Sequence, residues 1–213
     1  MTITPFETAL YEKLYGFFAG NGFVLLPDKK QFRKITDTGF QNVIFTVSTY
    51  EEEIWLEVNF GIRHEQIEQM AQQFLNNMRD FWPDTNTLVI SIGKYNDARY
   101  FRYKVHNDID LEDVCEEIKD FLEHQGFLFM QQSETLAALH KILNEKPSKP
   151  CKYVYNQVHR YYKGVIAARL INADNFLDLA DSYRFFLTKI GATAEEQHAY
   201  ERLLSYLLYH SIN

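Results

Sequence analysis

The sequence predicts an α+β fold: an antiparallel sheet of about six strands with helices packed on it, followed by an all-helical C-terminal region. Three observations carry that expectation. Residues 40–64 read as two strands joined by an acidic turn, because Ile54, Leu56, Val58, Phe60 and Ile62 alternate with Glu53, Trp55, Glu57, Asn59 and Gly61. Segments on both sides of this hairpin change to a helical period. Beyond Tyr153 every apolar pattern is helical.

The hairpin register follows from the pattern. With Glu51 and Glu52 as the central turn residues, Val47 falls opposite Leu56, Phe45 opposite Val58 and Val43 opposite Phe60. A slip of one residue would turn one strand's apolar set to water, so this pairing is strongly favoured.

The remaining elements follow in order. Thr4-Pro5-Phe6-Glu7 is a helix start, with a capping Thr, a Pro suited to the first helical position and a Glu where a capping box needs its acid. Gly20, Asn21 and Gly22 stop that helix. Phe23–Leu26 is a short strand, and the more polar Gln31–Asp37 is expected at a sheet edge. Ile67, Met70, Ala71, Phe74, Leu75 and Met78 mark a second helix ending before Trp82-Pro83. Leu88–Lys94 and Arg99–His106 are expected to form a second hairpin about Asn96-Asp97, with Ile90 facing Tyr103. Asp110 is the expected cap of a third helix carrying Leu111, Val114, Cys115, Ile118, Phe121 and Leu122. Gln125-Gly126-Phe127 repeats the earlier Asn21-Gly22-Phe23 step and predicts a helix stop and a Phe-led strand. Ser133–Asn144 is a fourth helix. The Pro- and Lys-rich segment 146–152 is a linker candidate. The helices Tyr153–Asn172, Asp174–Ile190 and Thr193–Ser211 follow, the last opened by a Thr193–Glu196 capping box. The expected organisation is therefore a sheet domain over 1–145, a linker over 146–152 and a helical region over 153–213 docked on the first domain.

Charge and composition narrow the function. The net charge of -7 disfavours a nucleic-acid binder, since phosphate contacts need a basic surface. Residues 1–145 hold 13 Lys and Arg against 23 Asp and Glu, whereas residues 146–213 hold 9 against 6. The acidic first part points to a basic protein partner. The two cysteines, Cys115 and Cys151, are too few for a disulfide framework or a zinc site. No signal peptide or membrane-spanning run is visible, so a cytoplasmic protein that does not enter the membrane is expected. An aromatic share of 15% predicts a core rich in rings.

No phosphate loop, dinucleotide fingerprint or nucleophile elbow occurs, and none of the seven histidines forms a short-spaced ligand pair. No catalytic residue, metal or cofactor is expected. Three constellations remain, each of which also has a plain packing explanation. Trp55, Glu57 and Asn59, beside Ile44, Thr46 and Ser48, form the outer face of the hairpin. Arg63 and His64 lie where a strand hands over to a helix that begins at Glu65. Tyr153, Tyr155, His159, Arg160, Tyr161, Tyr162 and Lys163 set aromatics among bases, as RNA readers do. The turn Glu51-Glu52-Glu53 is the most concentrated acidic cluster, and with Trp55, Glu57, Asn59, Arg63 and His64 it completes the candidate binding residues.

The N-terminal helix, the Gly22-Phe23 step, the polar strand Gln31–Asp37 and the strand end Glu57-Val58-Asn59-Phe60-Gly61-Ile62 resemble certain bacterial domains of unknown function. The resemblance covers the first third to half of the chain. It implies a small α+β protein with an antiparallel sheet. Some related groups occur as partners of toxins, and the family supplies no catalytic residues. The function expected is non-catalytic binding of another protein, in an inhibitory or immunity-like role. The alternative is a small-ligand binder or enzyme with a pocket between the sheet and the C-terminal helices.

Overall fold

The capping box at the start of the chain forms as its residue types demand. Thr4 Oγ1 accepts the Glu7 N–H at 3.2 Å and Glu7 Oε2 accepts the Thr4 N–H at 2.9 Å, opening α1 (Pro5–Gly20). Gly22, at φ 81°, takes the left-handed conformation that stops the helix. The computed structural model describes residues 3–98 and 100–209. Two compact units are present, one built from 1–62 and 89–132, the other from 63–88 and 133–213.

The first unit carries an α+β arrangement around a six-stranded antiparallel sheet. Strands β1 (Val24–Leu26), β2 (Gln31–Thr36), β3 (Gly39–Thr49), β4 (Ile54–His64) and β5 (Leu88–Ser91) lie in that order, and β6 (Tyr103–Val105) pairs with β4. The last two residues of β4 and the first of β5 belong to the second unit. The Tyr50 N–H donates to the Glu53 carbonyl at 2.9 Å, closing a turn whose central residues are Glu51 and Glu52. Val43, Phe45, Leu56, Val58 and Phe60 are all buried, so the apolar faces of both strands lie inward.

The strand Gln31–Asp37 is not an edge, since β2 pairs with β1 on one side and β3 on the other; β1 is the edge. Its polar residues are accommodated by pairing, as where Asn42 Nδ2 donates to Gln31 Oε1 at 2.8 Å. The second hairpin does not form either. The Ser91 hydroxyl caps a single helical turn, α3 (Ile92–Tyr95), by accepting the Lys94 N–H, which ends the alternation early. β6 instead pairs antiparallel with β4, placing Val105 opposite Ile54, Lys104 opposite Trp55 and Tyr103 opposite Leu56. Arg99, the expected start of that strand, lies outside the described residues.

Helix α4 (Asp108–Phe121) is capped by Asn107, not Asp110. Asn107 Oδ1 accepts the Ile109 and Asp110 N–H groups, while Asp110 reaches back to the His106 N–H at 2.9 Å. Gly126 is not a stop and no strand follows it. A π turn over Leu122–Gly126 leads directly into α5 (Phe127–Gln132), and Gly126 keeps a negative φ. A Cβ there would lie 2.7 Å from Leu122 Cδ2, so this glycine serves close packing. Aromatic rings fill the core as composition predicts: Phe18 stacks on Phe32 at 4.0 Å and Phe127 on Phe23 at 5.2 Å.

The second unit is helical. α2 (Glu65–Gln72) and α6 (Leu136–Asn144) pack on α7 (Gln157–Leu170), which also packs on α8 (Phe176–Lys189) and α9 (Ala194–Tyr209). α2 ends six residues before Met78, and the chain continues through a 3-10 turn over Arg79–Asp84. The capping box of the last helix forms, with Thr193 Oγ1 accepting the Glu196 N–H. The expected end of that helix at Ser211 lies outside the described residues. The segment 146–152, read from sequence as a linker, lies within this unit. The buried Arg160 guanidinium donates to the carbonyls of Leu143, Lys146, Pro147 and Lys149 at 2.9 to 3.2 Å, strapping the loop to α7. No helix among the described residues is long and apolar enough to cross a membrane.

One glycine sets how closely α6, α7 and α8 approach. A Cβ on Gly164 would sit 2.4 Å from Asn144 Oδ1 and 3.2 Å from the Tyr183 ring. Asn144 meanwhile donates to the Gly164 carbonyl at 2.8 Å and accepts from the Tyr183 hydroxyl at 2.5 Å. Gly164→Ala should therefore lower the unfolding free energy by about 1–3 kcal/mol despite alanine's better helix propensity. Urea denaturation measures it, and a stabilised variant would show that the helices can separate at no cost.

Candidate binding site

The eight candidate residues fall into three places. Glu51, Glu52 and Glu53 line a groove beside the hairpin turn. Trp55, Glu57 and Asn59 stand on the outer face of β4. Arg63 and His64 end that strand within the second unit.

On the outer face, Trp55 is half-buried under cations on β6 and just before it. Lys104 Nζ lies 5.1 Å from the Trp55 ring centroid, Arg102 lies 5.7 Å away, and Tyr50 packs at 4.9 Å. The same bases meet the acids, with Lys104 3.1 Å from Glu53 and Arg102 3.5 Å from Glu57. Asn59 is half-buried on the same strand face. Sequence reading missed Arg102 and Lys104 because they were assigned to another hairpin. Their alternation about Tyr103 was the available signal, but it did not choose β4 as the partner strand.

Arg63 is committed to structure. It pairs with Glu65 at 2.6 Å and donates to the Trp82 and Thr85 carbonyls and to Thr85 Oγ1. His64 is buried, and its N–H donates to Thr87 Oγ1 at 2.9 Å. Burial pushes its imidazole below the usual range, and the nearby charges of Glu65 and Glu68 oppose this only in part. Behind these residues lies an ion pair that sequence reading did not find, Lys163 Nζ to Glu68 Oε1 at 2.8 Å, with both side chains buried. Burial alone would raise the Glu68 carboxyl. The Lys163 charge and hydrogen bonds from Lys163, Gln72 and Thr85 outweigh it and hold the group below the ordinary carboxylate range.

The aromatic and basic segment 153–163, which runs into α7, does not form one stacking surface. Tyr161 and Tyr162 pack against Tyr183 and Tyr200, and Arg160 and Lys163 are buried in the hydrogen bonds described above. Tyr155 is exposed.

The groove beside the turn has the geometry of a receptor site. It encloses about 500 Å³ and is built from the start of α1, the β3–β4 turn, the end of β6 and the start of α4. Half-buried or buried Phe6, Ala9, Ile54 and Leu111 form its floor. Exposed Glu51, Glu52 and Asp108 form the rim, with Glu53 beside them. Against these four acids the groove carries one imidazole, His106, whose Nδ1 is 3.0 Å from Asp110 and whose Nε2 is 3.6 Å from Glu53. Trp55 points to the other side of β4 and is not part of the groove. An apolar floor under an acidic rim can desolvate an apolar anchor while its flanking cations pair at the edge.

Compared with known proteins, the chain matches no family model, no curated protein and no solved structure.

Proposed function

We propose that the chain is a non-catalytic, cytoplasmic bacterial binding protein, and that the groove beside Glu51 and Glu52 receives a basic segment of a partner protein. The observation that carries this reading is the acidic rim of Glu51, Glu52, Glu53 and Asp108 over the apolar floor of Phe6, Ile54 and Leu111. A basic segment with one apolar side chain satisfies both parts. Complementary potentials of this kind speed encounter and reject acidic partners. The resemblance of the first part of the chain to bacterial domains whose related groups partner toxins supports an inhibitory, immunity-like role.

The test uses a partner captured from bacterial lysate and then purified. The variant Glu51→Gln/Glu52→Gln/Asp108→Asn should slow association about tenfold at low salt and flatten its salt dependence. The control Glu116→Gln/Glu123→Gln, on exposed positions outside the groove, should leave both unchanged. Equal rates for the groove variant and the parent protein would place the interface elsewhere.

A further inference from the structure

The second unit holds a cleft of about 530 Å³ that the proposed partner site does not use. That volume lies within the range of small-molecule sites. Its walls are the segment following α2, the first turns of α7 and the first turns of α9.

The α9 wall is organised by the helical period. Glu195, Ala199 and Arg202 follow the i, i+4, i+7 spacing of a single helix face, and all three line the cleft. Seven residues at 1.5 Å per residue set Glu195 and Arg202 about 10 Å apart along the axis. Both are exposed, and among the described residues neither is held in an ion pair. Ala199 between them is small and buried, so the space separating the two charges stays open.

The opposite wall is uncharged and mixes polar groups with apolar Phe74, Leu75 and Val158. Gln73, Asn76 and Asn156 bring carboxamides, each able to donate and accept. His159, on the first turn of α7, lines the cleft. Its burial, reinforced by the Lys163 charge, pushes the imidazole down to about 4, so at neutral pH it offers one N–H and one lone pair. Glu196 also lines the cleft, beside Glu195, with its carboxylate accepting from the Thr193 N–H and hydroxyl, so a simple anion would meet acids at one end and a simple cation would meet Arg202 at the other. A ligand with both charges, separated by about 10 Å of hydrogen-bonding groups, suits it throughout. Three extended residues span that length.

We infer that this cleft binds a short zwitterionic peptide of about three residues, with its ammonium group toward Glu195, its carboxylate toward Arg202, and its backbone amides against the carboxamide wall.

Calorimetry of the full chain with trialanine and its capped forms tests the assignment. Trialanine should bind saturably, and acetylating its amino end or amidating its carboxyl end should each weaken binding about tenfold, as expected for loss of a charged hydrogen bond. Glu195→Gln should abolish the discrimination against the acetylated form only, and Arg202→Gln that against the amidated form only. Both side chains are exposed, so circular dichroism should show an unchanged fold. Absence of binding at millimolar peptide, equal affinity for capped and free forms, or variants that retain both discriminations would each overturn the inference. The partner-association test is read at the other unit's groove, so either reading can fail without the other.

Discussion

Lys163→Met should lower the unfolding free energy by about 3–5 kcal/mol, because it leaves the Glu68 carboxylate buried without its cation. Thr85, Thr87 and Gln72 still donate to Glu68, but they cannot neutralise it. The double change Glu68→Met/Lys163→Met should recover much of the loss, since an apolar pair of similar volume avoids both desolvation costs. Guanidinium denaturation of the parent, Lys163→Met, Glu68→Met and the double variant closes the cycle, and a double variant no more stable than Lys163→Met would remove the ion pair from the explanation. Acid should act on the same unit. The Glu68 carboxyl is lowered in the fold, so its contribution is complete above the unfolded value near 4.5 and is lost as pH falls through the folded value. His159, lowered from 6.5 to about 4, contributes above 6.5 and loses that contribution as pH falls between those two values. The parent protein should therefore lose stability in two stages on acidification, and His159→Gln should shrink the first, to which His64 and His140, also lowered by burial, contribute.

Val58→Asp should abolish folding of the first unit. Val58 is 2% exposed and sits inside the central hairpin, where a carboxylate would find no partner. The cost of burying it unpaired is several kcal/mol, a large part of a domain's stability. Glu57→Lys, one residue away, faces outward and loses only a partly exposed 3.5 Å pair with Arg102, an expected cost below about 1 kcal/mol. Circular dichroism and soluble yield distinguish the two, and equal damage from both would contradict the observed facing of β4.

These two residues also show what was legible in the sequence. Val58 and Glu57 were assigned to opposite faces because a strand's period and a two-residue turn are local properties, and the Tyr50–Glu53 hydrogen bond closes that turn. The boxes at Thr4 and Thr193 were legible for the same reason. The pairing of β6 was not, because Tyr103 and Val105 alternate in the same way whichever strand they join. Gly126 carried the chemistry of a helix stop, yet its close contact with Leu122, not its φ, explains it. Of the site, the acids at the turn could be read directly. Their apolar floor could not, since Phe6, Ile54 and Leu111 converge from distant segments. Lys163 looked like one base among tyrosines until folding gave it Glu68.

The same ion pair has a consequence for synthesis. Glu68 leaves the ribosome 95 residues ahead of Lys163. At roughly 5–20 residues per second that is a delay of about 5–20 s. During this interval the residues of α2 that will face α7 have no helix to cover them, although all of the first unit's sequence up to Gln132 emerges before α7 does. The nascent chain thus carries the 63–88 segment unfinished while its neighbours along the chain can already fold. A chaperone that favours exposed Ile67 and Ala71 would find its longest opportunity there.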